Sequence, residues 1–221
     1  MTSLHFACEK GHTAIVALLL AHPGIDVNPR NTYGHTPMMR ACWYERTSCV
    51  RLLLRDSRVR VNQGDSGGAL PLHFIARYGK CELVWLWVAS GREMDLGKPE
   101  EGKGDAMAMA KKQGKTEVVA LLERFQENPV KTRHQARLRI GWYDEAAAEM
   151  FALVVFVSDG LLTGKAAQVK PGARRTRFFL IATQLPLELQ MVLCNRVVGS
   201  AKEIISGKDS EVAFRCLARR I

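Results

Sequence analysis

The sequence predicts an all-α protein in which stacked helical repeats are followed by a helical C-terminal region. The main observation is a spacing of 34 residues, at which Leu4, Met38 and Leu72 recur. Asn28 and Asn62 recur at the same spacing. Each copy also contains two short segments with helical periodicity. A repeat of this length is typical of solenoids, in which each unit buries its apolar face against its neighbours.

Each copy is expected to form two short helices joined by a tight turn. Thr36 can cap the free N–H groups that open a helix, and Pro37 suits the first helical position, where its missing N–H costs nothing. Gly11, Gly79 and Gly114 fall where the first helix must stop, and glycine reaches the left-handed conformation freely. The second helix has a broad apolar face that needs a neighbouring copy to cover it. In the first copy this face comprises Ile15, Val16, Leu18 and Leu19.

The first copy, which runs from Thr2-Ser3-Leu4-His5 through Gly11-His12 to Asp26-Val27-Asn28, resembles an ankyrin repeat. The resemblance implies four repeats, over residues 1–30, 31–63, 64–97 and 98–127, and the last is displaced by one extra residue. It also implies a structural role for His5 and His73, because ankyrin repeats use a histidine at this position for internal hydrogen bonds. The function it implies is non-enzymatic binding of another protein.

The composition is that of a globular protein with an uneven charge. The chain has 221 residues, 47% of them hydrophobic, and a formal net charge of +10. Most of the basic excess lies in residues 129–221. The six cysteines form no C-x-x-C pair, so neither disulfides nor a metal site is expected. No secretory signal opens the chain, and the apolar run at 150–157 is shorter than the roughly 20 residues that span a bilayer. We therefore expect an intracellular location, cytoplasmic or nuclear, with no cofactor and no membrane span.

Residues 129–221 are expected to form a basic helical region that caps the repeats. Asn128-Pro129 ends the periodic pattern, because proline disfavours helix in the residue before it. A helix is predicted over 142–157, and its apolar end is expected to pack on the apolar residues of the last repeat. Further helices are predicted after Pro186 and around Val212 and Phe214.

A peptide in the third copy, Gly64-Asp65-Ser66-Gly67-Gly68, matches the sequence around the nucleophile of chymotrypsin-like proteases. That chemistry needs a positioned histidine and a buried carboxylate on a fold of two β-barrels, whereas only repeat residues precede this peptide. The peptide aligns with the inter-repeat turn at 30–34. We therefore predict a turn at this peptide and no catalytic residues in the chain.

The exposed side of the first helices is the expected partner-binding surface. Equivalent positions line up across the first three copies as Phe6/Arg40/Phe74, Glu9/Trp43/Arg77 and Lys10/Tyr44/Tyr78. Aromatic residues and arginine dominate binding hot spots because they bury large rigid surfaces and make directional polar contacts. In ankyrin proteins these positions and the turn tips face a concave groove, which adds two residues of the second copy. The predicted site residues are Tyr33, His35, Arg40, Trp43, Tyr44, Phe74, Arg77 and Tyr78. The alternative is that Trp43 and Phe74 pack between repeats.

A segment near the C terminus resembles the opening of an F-box, whose first helix begins with Leu-Pro and an acidic residue. The residues concerned are Leu185, Pro186, Glu188, Leu189, Val192 and Leu193. An F-box-like segment after ankyrin repeats resembles the PRANC arrangement, in which the tail docks onto the Skp adaptor of a cullin ubiquitin ligase. The alternative function is therefore that of a substrate-recruiting adaptor.

Two basic stretches, at 131–139 and 165–177, suggest a second alternative, a nucleic-acid-associated protein. Aromatic residues do not interleave with these charges as they do on a platform for single strands. Nucleic acid is therefore the less favoured partner.

Overall fold

The computed structural model describes residues 1–97, 105–158, 182, 185–200, 202 and 204–218. These residues form helices and turns, and none of them lies in a β-strand. The chain divides into two compact units, Met1–Ile140 and Gly141–Ile221. The basic stretch at 165–177, the extra residue of the fourth copy near 102–104 and residues 219–221 lie outside the described part.

The first unit contains four consecutive helix pairs, as the repeats predict. Their inner helices are α1 (Ser3–Lys10), α3 (Pro37–Trp43), α5 (Pro71–Tyr78) and α7 (Ala106–Lys112). Their outer helices are α2 (Thr13–Ala21), α4 (Thr47–Arg55), α6 (Cys81–Ser90) and α8 (Thr116–Glu127). Each inner helix packs on the next inner helix, and each outer helix packs on the next outer helix. The unit is thus a solenoid with two rows of helices.

The ends of the inner helices follow the predicted capping. Thr36 Oγ1 accepts a hydrogen bond from Met39 N–H at 3.3 Å, and Asp105 Oδ1 accepts one from Ala108 N–H at 2.5 Å. Gly11, Gly79 and Gly114 end their turns with φ of 80°, 71° and 64°. The second copy differs from the others at this position. Glu45 stands there with φ of 54°. Among the described residues, it is the only one other than glycine with a positive φ.

The core of the solenoid repeats at the same spacing as the sequence. Leu4, Met38 and Leu72 are buried, and so are Val16 and Val50. The predicted apolar face of α2 is only partly covered, because Ile15 and Leu18 are exposed. The physical reason is that α2 packs on the outer helix of one adjoining repeat, α4, so one side of its apolar face faces solvent among the described residues.

The recurring asparagines tie the long loops of adjacent repeats together. The Asn28 side chain donates to Arg58 O at 2.8 Å and accepts from Arg60 N–H at 2.7 Å. One repeat later, Asn62 Oδ1 accepts from Asp95 N–H at 3.3 Å. Since an amide side chain both donates and accepts, it can satisfy a backbone carbonyl and a backbone N–H of the next loop.

A ninth helix, α9 (Pro129–Arg139), belongs to the first unit and packs on α6 and α8. Asn128 caps it and Pro129 opens it, so the sequence signal that ends α8 also begins α9. Thr132 Oγ1 donates to Arg124 O at 2.9 Å, and Arg137 Nε donates to Ala89 O at 3.0 Å. Part of the basic stretch at 131–139 therefore serves contacts inside the solenoid. The expected region boundary at residue 128 falls between α8 and α9, whereas the two compact units meet after Ile140.

The helices that the structure describes in the second unit are α10 (Trp142–Ser158), α11 (Leu187–Val198) and α12 (Gly207–Ala218). Helix α10 packs on both of the others. The core centres on Phe151, whose ring meets that of Phe214 edge to face at 6.1 Å. Asp144 accepts hydrogen bonds from Ser200 at 3.0 Å and from Lys202 at 2.6 Å. The apolar part of α10 thus has its burial partners within its own unit.

Candidate functional site

Six ring-bearing residues of the second and third repeats form one connected group, which we call the aromatic cluster. Trp43 lies at its centre, on the last turn of α3. Its indole stacks with the Phe74 ring at 5.2 Å and with the Tyr44 and Tyr78 rings at 6.3 Å each. The cluster consists of Tyr33, His35, Trp43, Tyr44, Phe74 and Tyr78. Because its rings come from two repeats, the cluster exists only when those repeats are docked.

His35 connects the turn between repeats to this stack. Its imidazole meets Trp43 edge to face at 5.6 Å and Phe74 at 5.7 Å, and Tyr33 lies 5.9 Å away. On its other side, His35 Nε2 is 3.6 Å from the Asp65 carboxylate. Asp65 is a site neighbour that the sequence analysis missed, because it was considered only within the protease-like peptide.

Two arginines border the aromatic cluster. The Arg40 guanidinium lies 5.0 Å from the centre of the Tyr44 ring and 5.7 Å from that of Trp43. Arg40 also binds the Glu9 carboxylate at 2.5 Å, and this hydrogen bond holds the pKa of Glu9 below its usual value. The Arg77 guanidinium lies 5.8 Å from the centre of the Tyr78 ring. The structure thus brings all eight predicted site residues together, and their role in binding stays a prediction.

The cluster has a partly buried centre and an exposed rim. Trp43, Phe74 and Arg40 are half-buried, and Tyr33, Tyr44 and Tyr78 are 71%, 40% and 38% exposed. Packing between repeats, the alternative for Trp43 and Phe74, is therefore part of the observed geometry. The tyrosines at the rim thus present part of their surface to solvent, and the Tyr44 hydroxyl accepts a hydrogen bond from Arg40 Nη2 at 3.4 Å.

His5 and His73 occupy the structural positions that the sequence predicts. His5 Nε2 bonds His35 O at 2.9 Å, and His5 Nδ1 accepts from Thr2 N–H at 3.1 Å. In the third copy, His73 Nδ1 accepts from Leu70 N–H at 2.9 Å, at a helix start where leucine offers no side-chain acceptor. Burial is the main cause that lowers the pKa of His5. Both imidazoles cap the start of their inner helix, and His5 also joins the first repeat to the second.

The protease-like peptide forms the predicted turn. Asp65 Oδ1 accepts from Gly67 N–H and from Ala69 N–H, each at 2.8 Å, and Ser66 N–H donates to Tyr33 O at 3.2 Å. The carboxylate is therefore engaged in holding its own turn. The serine backbone joins this turn to the one before it.

Free thiols are carried by Cys8, Cys42, Cys49, Cys81 and Cys194. Burial raises the pKa of Cys8 to about 12 and that of Cys194 to about 11, and it raises the pKa of Cys42 as well. Since the thiolate is the reactive form, these buried side chains act as small apolar residues.

The predicted adaptor-docking residues lie at the start of α11. Pro186 directly precedes the helix, and Leu187, Glu188 and Leu189 are exposed on its first turn. Val192 and Leu193 are half-buried, and Leu193 packs against the core of the second unit. The buried side of this helix carries the polar residues Gln190 and Asn195 beside Cys194, so apolar periodicity does not mark its inward face.

The fold and this surface define a class of protein: a solenoid of helix pairs that displays aromatic and basic residues along its inner helices. A family model described as ankyrin repeats in three copies matches residues 1–65. Residues 1–65 therefore carry ankyrin repeats, and ankyrin repeats indicate a protein-protein interaction module. The resemblance stated from the sequence is thereby confirmed for the repeats.

Several proteins are similar to the chain over its repeats. The E3 ubiquitin-protein ligase XBAT33 of Arabidopsis thaliana is 44% identical over 87 residues, which are 39% of this chain and 17% of that protein. The human SMC5-SMC6 complex localization factor protein 1 is 34% identical over 41% of this chain and 8% of its own length. The putative ankyrin repeat protein YahD of Escherichia coli K12 is 37% identical over 38% of this chain. The chain spans less than half the length of each of these relatives.

None of the helices in the described part of the chain combines the length and the apolar character needed to cross a bilayer.

Proposed function

We propose that this chain binds a partner protein through the concave side of its repeats, at the aromatic cluster. The observation that carries the proposal is that six rings gather across two repeats while the rim tyrosines stay exposed. A core needs no such rim, since exposed tyrosines add little to stability. Rigid, amphipathic aromatic side chains are the residues that most often dominate protein interfaces.

Site-specific photo-crosslinking tests this proposal. Benzoylphenylalanine replaces Tyr44 or Tyr78 in the full chain, and a control carries it at Leu18, which is exposed on the outer helix α2. We expect the same partner to crosslink from positions 44 and 78 but not from position 18. The crosslink should disappear when Trp43→Ala is added. A partner that crosslinks equally in the Trp43→Ala background contradicts the proposal.

The adaptor function is a second candidate, supported by one feature of the second unit. Helix α11 begins directly after Pro186, and Leu187 and Leu189 on its first turn are 55% and 51% exposed. Two exposed leucines beside an acidic residue provide an apolar contact that a partner helix can cover. Co-purification of the full chain with the Skp adaptor tests it, with Leu189→Asp as the loss variant. Exposed Val130→Asp on α9 is the matched control.

A further inference from the structure

The inner face of the solenoid is strongly basic, whereas the outer helices are close to neutral. The inner helices and the turns that follow them, residues 3–12, 37–46, 71–80 and 106–115, hold eight Lys or Arg residues and two acidic residues. The outer helices hold three basic and four acidic residues. The excess of basic charge found from the sequence in the C-terminal region therefore has a counterpart on the binding side of the repeats.

Both acids of the inner face are already paired within it. Glu9 binds Arg40, and Glu45 binds Lys80, in each case across the boundary between two repeats. Arg77 is exposed and has no acidic partner among the described residues. Lys112 is exposed as well, and it occupies in the fourth repeat the position of Arg77 in the third, once the extra residue is allowed for. Two cations on adjacent repeats are therefore available to a ligand.

Resting on the proposed function, we propose that the aromatic cluster binds an acidic, extended segment of a partner protein. Carboxylates of the segment pair with Arg77 and Lys112, and one large apolar side chain contacts the rim tyrosines. Packed helices lie about 10 Å apart, and an extended chain advances about 3.3 Å per residue. The two carboxylates therefore stand about three residues apart in the segment.

The stacking of the rings favours a peptide over single-stranded nucleic acid. A base needs an open ring face on which to stack. Trp43 already stacks with three rings, and the Arg40 guanidinium lies over it. The rim tyrosines combine apolar ring surface with a polar hydroxyl, which suits the apolar side chains and the polar backbone of a peptide.

Selection from a random peptide library of about 12 residues, the length that spans four repeats, tests this inference with the full chain as bait. We expect the enriched peptides to carry acids about three positions apart and one large apolar residue. Binding of an enriched peptide, measured by fluorescence anisotropy, should weaken at least about tenfold in Arg77→Gln or Lys112→Gln and decline with added salt. The matched control, Arg124→Gln on the outer helix α8, should leave its affinity unchanged.

Three outcomes overturn the inference and differ in what they say about the proposed function. If the enriched peptides are neutral or basic and lose affinity in Trp43→Ala, the result supports binding at the groove but contradicts an acidic partner. Peptides whose affinity is unaffected by both Trp43→Ala and Arg77→Gln overturn the inference and also remove the support for the groove. An oligo(dT) strand that displaces the peptides and binds more tightly overturns the choice of peptide over nucleic acid.

Discussion

The inner and outer helices of the repeats have similar lengths but different surroundings. The outer row buries Trp87 completely and is covered at its C-terminal end by α9. The inner row gathers Trp43 and its neighbouring rings on a surface that no described helix of the first unit covers. The difference shows that an aromatic residue in a solenoid can have either of two roles. Packing fixes the identity of outer residues such as Trp87, whereas the exposed inner positions can vary without loss of fold.

Removal of α9, which covers the outer helices α6 and α8, should have the largest effect on stability. We expect a fragment that ends after Ile140 to keep α9 and to unfold cooperatively. A fragment that ends after Asn128 should melt at least about 10 °C lower, because it exposes the sides of α6 and α8 that α9 covers. Thermal denaturation followed by circular dichroism measures both. Equal melting temperatures for the two fragments contradict a capping role for α9.

Trp43 of the inner row and Trp87 of the outer row allow a direct comparison of how much each row depends on an aromatic residue for stability. Trp87→Ala should lower the free energy of unfolding by about 3–5 kcal/mol, since it leaves a large cavity and an unpaired Glu93 carbonyl. Trp43→Ala should cost about 1–2 kcal/mol, because the lost ring is half-buried and contributes mainly stacking. Urea denaturation of the two variants gives both values. If Trp43→Ala costs as much as Trp87→Ala, Trp43 is a core residue and the groove loses its main support.

At the left-handed turn of the inner row, one substitution of Glu45 is expected to raise the stability of the fold, unlike the two tryptophan substitutions. Glu45→Gly should raise stability by up to about 1 kcal/mol, because glycine adopts positive φ without a Cβ clash. Glu45→Ala keeps the strained conformation and loses the pair with Lys80, so it should destabilise the protein. Lys80→Ala is the control that removes the pair alone. A Glu45→Gly variant no more stable than Glu45→Ala shows that the left-handed conformation carries no strain at this position.

The smallest expected effect concerns His5, at the start of the inner row. Burial lowers the pKa of His5 below its ordinary value of 6.5, so the folded state favours the neutral ring. Below pH 6.5 the unfolded chain therefore binds more protons, and stability should fall as the pH falls through the folded-state pKa. His5→Gln, which does not titrate, should show a weaker pH dependence in denaturation curves. A pH dependence in His5→Gln equal to that of the wild type contradicts this assignment.

The sequence predicted the features that recur in every repeat and missed those that occur once. A glycine that recurs at 11, 79 and 114 predicts a turn in every copy, and that turn survives at Glu45, where glycine is absent. Helix α9 has no counterpart in the other copies, so periodicity could not show that it joins the solenoid. In α11 the buried Gln190 and the exposed Leu189 reverse the usual pattern, and their environment depends on tertiary packing. Lys112 was missed because the extra residue in the fourth copy shifts its register.

The stack of Trp43 on Phe74 couples recognition to the cooperativity of unfolding. Each ring belongs to a different repeat, so a ligand held by the cluster binds only while the second and third repeats are docked. By mass action, such a ligand strengthens that interface, and a segment that also pairs with Lys112 strengthens the interface between the third and fourth repeats as well. A bound partner would thereby join the second, third and fourth repeats into a single unfolding block with its own amide-exchange rate.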